Sequence, residues 1–310
     1  MTVVWITGAK GFIGSHLGRE LAGAGHAVHG VGHGALAEAE RSRLGLHSWI
    51  NGEIEATNLD ALASAHGLPS AIVHLAGGSS VGLAIAHPYE DFSRTVGSTS
   101  RLLEWLRVRS PKSRLIAVSS AAVYGSGHAG PISEDATLTP MSPYGEHKRM
   151  MEQLCRSYAM SYGIASTVVR LFSVYGAGLR KQLLWEICSR LQENNRELVL
   201  GGTGEEIRDW CEVRDVVRLL AMFVQSSQSE PFRVINGGRG QAVRVSEIAA
   251  LLVRYWGGTT VRFSGNVRAG DPFSLVADVT ALCSTGFSWR VVPEQGIDQY
   301  VRWYKDRARS

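Results

Sequence analysis

The sequence predicts an α/β protein built around a doubly wound parallel sheet, and three observations carry that prediction. Short runs of β-branched and other apolar residues alternate with longer helical patterns, the rhythm of βαβ units. The first of these runs passes directly into a glycine loop and then a helical pattern. The chain has 310 residues with 45% apolar and 19% charged content, enough for a large core in one domain or in a domain with a smaller partner.

Residues 2–7, Thr-Val-Val-Trp-Ile-Thr, form the first predicted strand. Gly8-Ala9-Lys10-Gly11-Phe12-Ile13-Gly14 follows and opens a helix running to about Leu21. Glycines allow a tight turn and close backbone approach, and a helix N-terminus receives a pyrophosphate, so this context points to a dinucleotide. The spacing is Gly-x-x-Gly-x-x-Gly, looser than Gly-x-Gly-x-x-Gly. Residues 27–31 give the second strand, which ends at Gly32-His33 where an NAD-binding unit usually carries an acid for the adenosine ribose. With Lys10 in the loop and Arg41 and Arg43 downstream, the missing acid favours a 2′-phosphate and hence NADP(H). NAD(H) stays open, because Glu38 or Glu40 could reach back.

Residues 47–50 form a third strand leading to Glu53 and Ile54, and residues 71–75 a fourth leading to Gly77 and Ser79. One long helix is expected from His87 to Arg107. Residues 114–118 give the fifth strand, which ends at Ser119-Ser120, and residues 166–171 the sixth. Between these two lies a helix opening at Ser142-Pro143-Tyr144. Its Tyr144 and Lys148, four apart, share a face with Met151 and Cys155. An ammonium among apolar neighbours needs a partner. Here it is expected to draw the phenol of Tyr144 toward phenolate and make it an acid/base near neutral pH. Ser120 offers a hydroxyl to polarise a carbonyl. After residue 176 the rhythm changes. Helices near 181–193, 213–225 and 245–255, strands at 232–236 and 260–263, and a last helix from about Pro293 suggest a smaller lobe with returns to the sheet.

The remaining composition excludes more than it assigns. Net charge is +4 and spread along the chain, which argues against a nucleic-acid surface. Four cysteines and ten histidines show no metal-ligand spacing, so no metal is expected. No apolar run has membrane-spanning length, and with no leader pattern at the N-terminus the expected compartment is the cytoplasm.

The glycine loop, Val73-His74-Leu75-Ala76-Gly77, Ser119-Ser120-Ala121-Ala122-Val123-Tyr124-Gly125, Tyr144-x-x-x-Lys148 and Arg208-Asp209-Trp210 occur in an order that resembles an extended short-chain dehydrogenase/reductase of the NAD-dependent epimerase/dehydratase type. The resemblance spans essentially the whole chain. It implies a Rossmann-type domain over 1–176, with a returning segment at about 208–238, and a nucleotide-sugar-binding α/β lobe over 177–207 and 239–310. It implies Ser120, Tyr144 and Lys148 as catalytic residues acting at C4 of a nucleoside-diphosphate sugar. The cofactor would contact Gly8, Lys10, Gly11, Phe12, Ile13, Gly14, His33, Glu53, Ile54, Leu75, Ala76, Gly77, Thr95, Tyr144, Lys148 and Phe172. The substrate would contact Ser79, Ser120, Tyr144, Ser173, Arg208, Arg268 and Asp271, with the two arginines on the diphosphate. Thr95 and Ser173 stand where relatives commonly have Asn. Ala121 and Ala122 replace the acids of 4,6-dehydratases, which argues against dehydration. The missing acid at Gly32 tilts the reading to an NADPH-dependent 4-keto-sugar reductase. The alternatives are a 4-epimerase with tightly bound NAD and a non-catalytic nucleotide sensor. A homodimer through the helix before the fifth strand and the Tyr144 helix is the family expectation.

Overall fold

The computed structural model describes residues 2–193, 197–226, 230–258, 260–266 and 272–307. The chain divides into two compact units. The first comprises residues 1–124, 137–171 and 217–235, and the second residues 125–136, 172–216 and 236–310. This division departs from the expected one, and residues 172–176 fall in the second unit. Residues 125–136 group with the second unit, because Ile132 bridges to Ala277 and its carbonyl accepts from the Asn236 side chain at 2.8 Å. The return to the first unit begins at Val217, later than about 208.

The first unit is organised by β1 (Val3–Thr7), β2 (Ala27–Gly32), β3 (Ser48–Asn51), β4 (Ala71–His74), β5 (Arg114–Ser120) and β6 (Ser166–Leu171). They pair in parallel in the order β6-β5-β4-β1-β2-β3, with β7 (Phe232–Gly237) flanking β6. The two inner strands read as unbroken apolar runs because both faces are covered: Val4, Trp5, Ile6, Ile72 and Val73 have no exposed surface. Neighbours β1 and β4 are not consecutive in the chain, so their C-terminal ends form the topological switch point where such sheets bind ligands.

Helix α1 (Phe12–Gly23) follows the glycine loop. The expected long helix is interrupted: α2 (Pro88–Phe92) passes through a π turn (Ser93–Gly97) into α3 (Ser98–Arg109). At this turn the Ser98 hydroxyl donates to the Arg94 carbonyl and the Thr99 hydroxyl to that of Thr95, both at 2.6 Å. Helix α4 (Pro143–Tyr162) is capped by Ser142, which accepts from Gly145 N, and it ends at the left-handed Gly163. Met151 and Cys155 are fully buried in the core on the expected face, beside Leu102, Leu106, Leu115 and Val168.

In the second unit, short strands pair as Ser173–Tyr175 with Trp210–Glu212, Glu197–Leu200 with Thr260–Phe263, and Ile207–Arg208 with both Val243–Arg244 and Ser274–Leu275. Asp209 locks this unit: its carboxylate accepts from the backbone N–H groups of Arg239, Gly240 and Ala277. Among the described residues, no helix is long and apolar enough to cross a membrane.

Candidate active site

The glycine loop closes onto the switch point. Gly8 adopts φ +70°, and a Cβ there would lie 3.1 Å from the Ala76 nitrogen. A Cβ at Gly14 would run into the backbone of Gly8 and Ala9, so the start of α1 must pack without side chains. Gly11 caps α1 and no acid lies in its first turn, leaving the N–H groups of Phe12, Ile13 and Gly14 at the positive end of the helix. This cradle suits the pyrophosphate of a dinucleotide.

The adenosine end differs from the expectation of a phosphate pocket. Lys10 donates to the Ala35 carbonyl at 2.8 Å, and His33 lies 3.4 Å from the Glu53 carboxylate. Arg41 is directed to the carbonyls of Leu46 and His47 and to Glu38, while Arg43 lies beside Arg19. Lys10, His33 and Arg41 are thus engaged, and the Glu53 carboxylate is held beside His33. Two residues that sequence reasoning missed fix the loop after β2. The Asn51 side chain accepts from Gly34 N at 2.8 Å, and the Trp49 indole donates to the Gly34 carbonyl at 2.9 Å. Gly32 has φ +157°, and a Cβ there would meet the Trp49 ring at 3.1 Å, which explains why no acid stands at that position. Ile54 is buried, with its carbonyl accepting from Arg101 at 2.8 Å.

The catalytic candidates meet at the ends of β4, β5 and α4. Lys148 is 5% exposed, donates to the Val118 carbonyl at 3.0 Å and lies 5.9 Å from the centre of the Tyr144 ring. Burial pushes its ammonium down to about 8, against the opposing pull of Asp91 and Glu152. Tyr144 is hydrogen-bonded to Ser120. Its phenol is pushed up, chiefly by burial, against that hydrogen bond and with a further rise from the Asp91 charge. The expectation of a phenol drawn toward phenolate by Lys148 is therefore corrected: in the free protein Tyr144 is a proton donor, because desolvation outweighs its polar neighbours. Ser120 sits at the end of β5, its hydroxyl also accepting from Ala122 N at 3.2 Å.

Thr95 lies in the π turn and is fully buried, with its hydroxyl accepting from Gly78 N at 2.8 Å. A Cβ on Gly77 would be 3.2 Å from that hydroxyl and 3.4 Å from the Lys148 ammonium, so Leu75, Ala76 and Gly77 lead directly to Lys148. A buried chain runs behind them, from Thr7 through His74 to Thr99, with hydroxyl-to-ring distances of 2.7 and 2.9 Å. Asp91 and His147, also unsuspected from the sequence, hydrogen-bond at 2.6 Å beside Tyr144 and Lys148. The signal for His147 was its place three residues after Tyr144 on the same helix; nothing local marked Asp91.

In the second unit, Arg208 donates to the carbonyls of Ile207 and Phe273 at 2.9 and 3.2 Å, and Ser173 N donates to the Asp209 carbonyl at 2.9 Å. Phe172 is buried, and Ser79, of the first unit, is exposed. Arg268 and Asp271 lie outside the described residues.

Fold and site together define a short-chain dehydrogenase/reductase with a Ser-Tyr-Lys centre and a dinucleotide cradle. The NAD dependent epimerase/dehydratase family matches residues 4–238, and the chain belongs to that family. It is 27% identical to the probable UDP-glucuronate 4-epimerase of Rhizobium meliloti (strain 1021), covering 98% of this chain and 97% of that protein. Among solved structures, MoeE5 in complex with UDP-glucuronic acid and NAD superposes with a TM-score of 0.87 at 30% identity, covering 98% and 99% of the two chains. The UDP-glucuronic acid 4-epimerase of Bacillus cereus, in complex with UDP-glucuronic acid and NAD, gives 0.88 at 25% identity, again over 98% and 99%.

Proposed function

We propose that the protein is a UDP-hexose or UDP-hexuronate 4-epimerase that keeps its NAD bound through the reaction. The expected NADPH-dependent reductase is overturned, because proteins similar over nearly the full length carry the name UDP-glucuronate or UDP-glucuronic acid 4-epimerase, and the similar solved complexes hold NAD. The observation within this chain that supports NAD is that Lys10, His33 and Arg41 are engaged by Ala35, Glu53 and Leu46, which leaves these cations less suited to a 2′-phosphate.

The cradle of Gly8, Gly11 and Gly14 fits the NAD pyrophosphate, and Lys148 would hold the nicotinamide ribose. When bound, NAD supplies the reversible hydride acceptor for C4. With NAD bound, the Tyr144 phenol would first release its proton to solvent; the phenolate would then take the proton from the C4 hydroxyl during oxidation and return it during reduction, with Lys148 offsetting the phenolate charge. Ser120 hydrogen-bonds the same sugar oxygen and orients it. Thr95 fixes the Gly77-Gly78 backbone so that Lys148 keeps its place. Arg208 and Arg268 are proposed to bind the diphosphate, with Ser173, Ser79 and Asp271 as further substrate contacts.

The test is to denature purified protein, identify the released nucleotide by mass spectrometry, and assay UDP-glucuronate and UDP-glucose for inversion at C4. Retained NAD and epimerisation without net cofactor use are expected. Protein free of nicotinamide that consumes one NADPH per keto sugar would refute the proposal.

A further inference from the structure

The proposed chemistry leaves one buried carboxylate beside the catalytic pair unexplained. Asp91 is 6% exposed, and one of its oxygens lies 2.6 Å from His147 Nδ1. Its other oxygen rests against Gly78, where a Cβ would overlap it, so only glycine admits the carboxylate there. The adjoining Gly77 has the Lys148 ammonium 3.4 Å from where its Cβ would be. Carboxylate and ammonium therefore approach consecutive glycines of one loop, and His147 and Lys148 are consecutive on α4. The ring of Phe92 packs edge-on against His147 at 5.5 Å and helps to seal this pair from water.

A buried carboxylate needs compensation. Glu152, one turn beyond Lys148, has a buried arginine for that purpose in Arg170, whereas Asp91 has a histidine. The other titratable groups around Lys148 are spent or neutral. His74 on β4 is pushed down to about 3 by burial, and Cys155 on α4 is pushed up to about 12. Glu90 and Arg94, on Asp91's own helical run, pair with each other at the surface. Asp91 is thus placed to act on Lys148 and Tyr144 together. Its charge favours the proton on both: it opposes the effect of burial on Lys148 and adds to the effect of burial on Tyr144.

We propose that Asp91, anchored by His147, is the buried counter-charge of the Tyr144–Lys148 pair and a positioning residue that sets the protonation of both. Its catalytic meaning rests on the epimerase reading above, but the charge effect can be read without turnover.

The experiment is an ultraviolet difference titration of the phenolate, subtracting Tyr144→Phe protein from its parent in the wild-type, Asp91→Asn and His147→Gln backgrounds. Circular dichroism confirms folding, and Asp91→Ser replaces Asp91→Asn should the latter not fold. With the carboxylate gone, the Tyr144 phenolate signal at pH 10 should rise at least about threefold. His147→Gln, which keeps the Asp91 charge and a donor to it, should leave the signal at the wild-type level. The pH profile of kcat/KM for epimerisation should move to lower pH on both limbs in Asp91→Asn, since both groups lose proton affinity. An unchanged phenolate signal in folded Asp91→Asn and Asp91→Ser overturns the proposal. An equal rise in His147→Gln also overturns it, by making packing the cause. Absence of epimerisation in the wild-type protein would sink the proposed function, while the titration would still decide whether Asp91 is the counter-charge.

Discussion

Replacing Arg170 with Met should destabilise the first unit severely, and replacing Glu152 at the same time should restore most of the loss. Both side chains are buried, at 4% and 5% exposure. The Arg170 guanidinium donates to the Glu152 carboxylate at 3.0 and 2.7 Å and to the Tyr124 hydroxyl at 2.9 Å, while Ser119 also donates to Glu152. Met fills similar space but removes every arginine contact, leaving a desolvated carboxylate with Ser119 as its remaining donor of this set. Breaking one side of a buried pair costs about 3–5 kcal/mol, whereas exchanging both partners for apolar groups of similar volume is close to neutral. At roughly 2–4 °C per kcal/mol for a domain of this size, the single variant should melt about 6–20 °C lower. Calorimetry of Arg170→Met, Glu152→Met and the double variant closes the cycle. Additive losses, with the double variant as unstable as the two singles summed, would refute the reasoning and show that the residues act through packing alone.

Three further outcomes follow from the same geometry. Tyr144→Phe should lower kcat about 10²-fold or more with NAD still retained, and near-normal turnover at saturation would remove Tyr144 from the acid/base role. His74 is held neutral by burial, with its folded value near 3 against an ordinary 6.5. The unfolded chain therefore binds the extra proton as pH falls below about 6.5, and stability should drop by up to about 1.4 kcal/mol per pH unit until about pH 3. His74→Asn should flatten that part of the denaturation profile; an unaltered slope would exclude His74 as its source. Arg208→Ala should weaken UDP binding by about 1.5–3 kcal/mol with NAD retention unchanged, and calorimetry showing full affinity would take Arg208 out of the diphosphate site.

Local pattern was enough for the sheet and for part of the site. Strand period and glycine punctuation placed β1 to β6 within one or two residues, because each strand is a continuous apolar run bounded by turn residues. The four-residue spacing of Tyr144 and Lys148, and the burial of Met151 and Cys155 with them, follows from helical geometry alone. What the sequence could not determine depends on groups far apart in the chain. The π turn around Thr95 is accompanied by side-chain-to-backbone bonds, and hydrophobic periodicity registers neither. From sequence alone, cofactor choice is read from the missing acid at Gly32-His33 and from Lys10, Arg41 and Arg43 as cations around the pocket. Only the tertiary structure shows Lys10 bound to Ala35, His33 to Glu53 and Arg41 to Leu46, and the Trp49 ring 3.1 Å from where a Cβ on Gly32 would stand. The proton affinity of Tyr144 was misjudged for the same reason: a cation one turn away is visible in a sequence, but desolvation and the charge of Asp91, 53 positions upstream, exist only once the chain has folded around them.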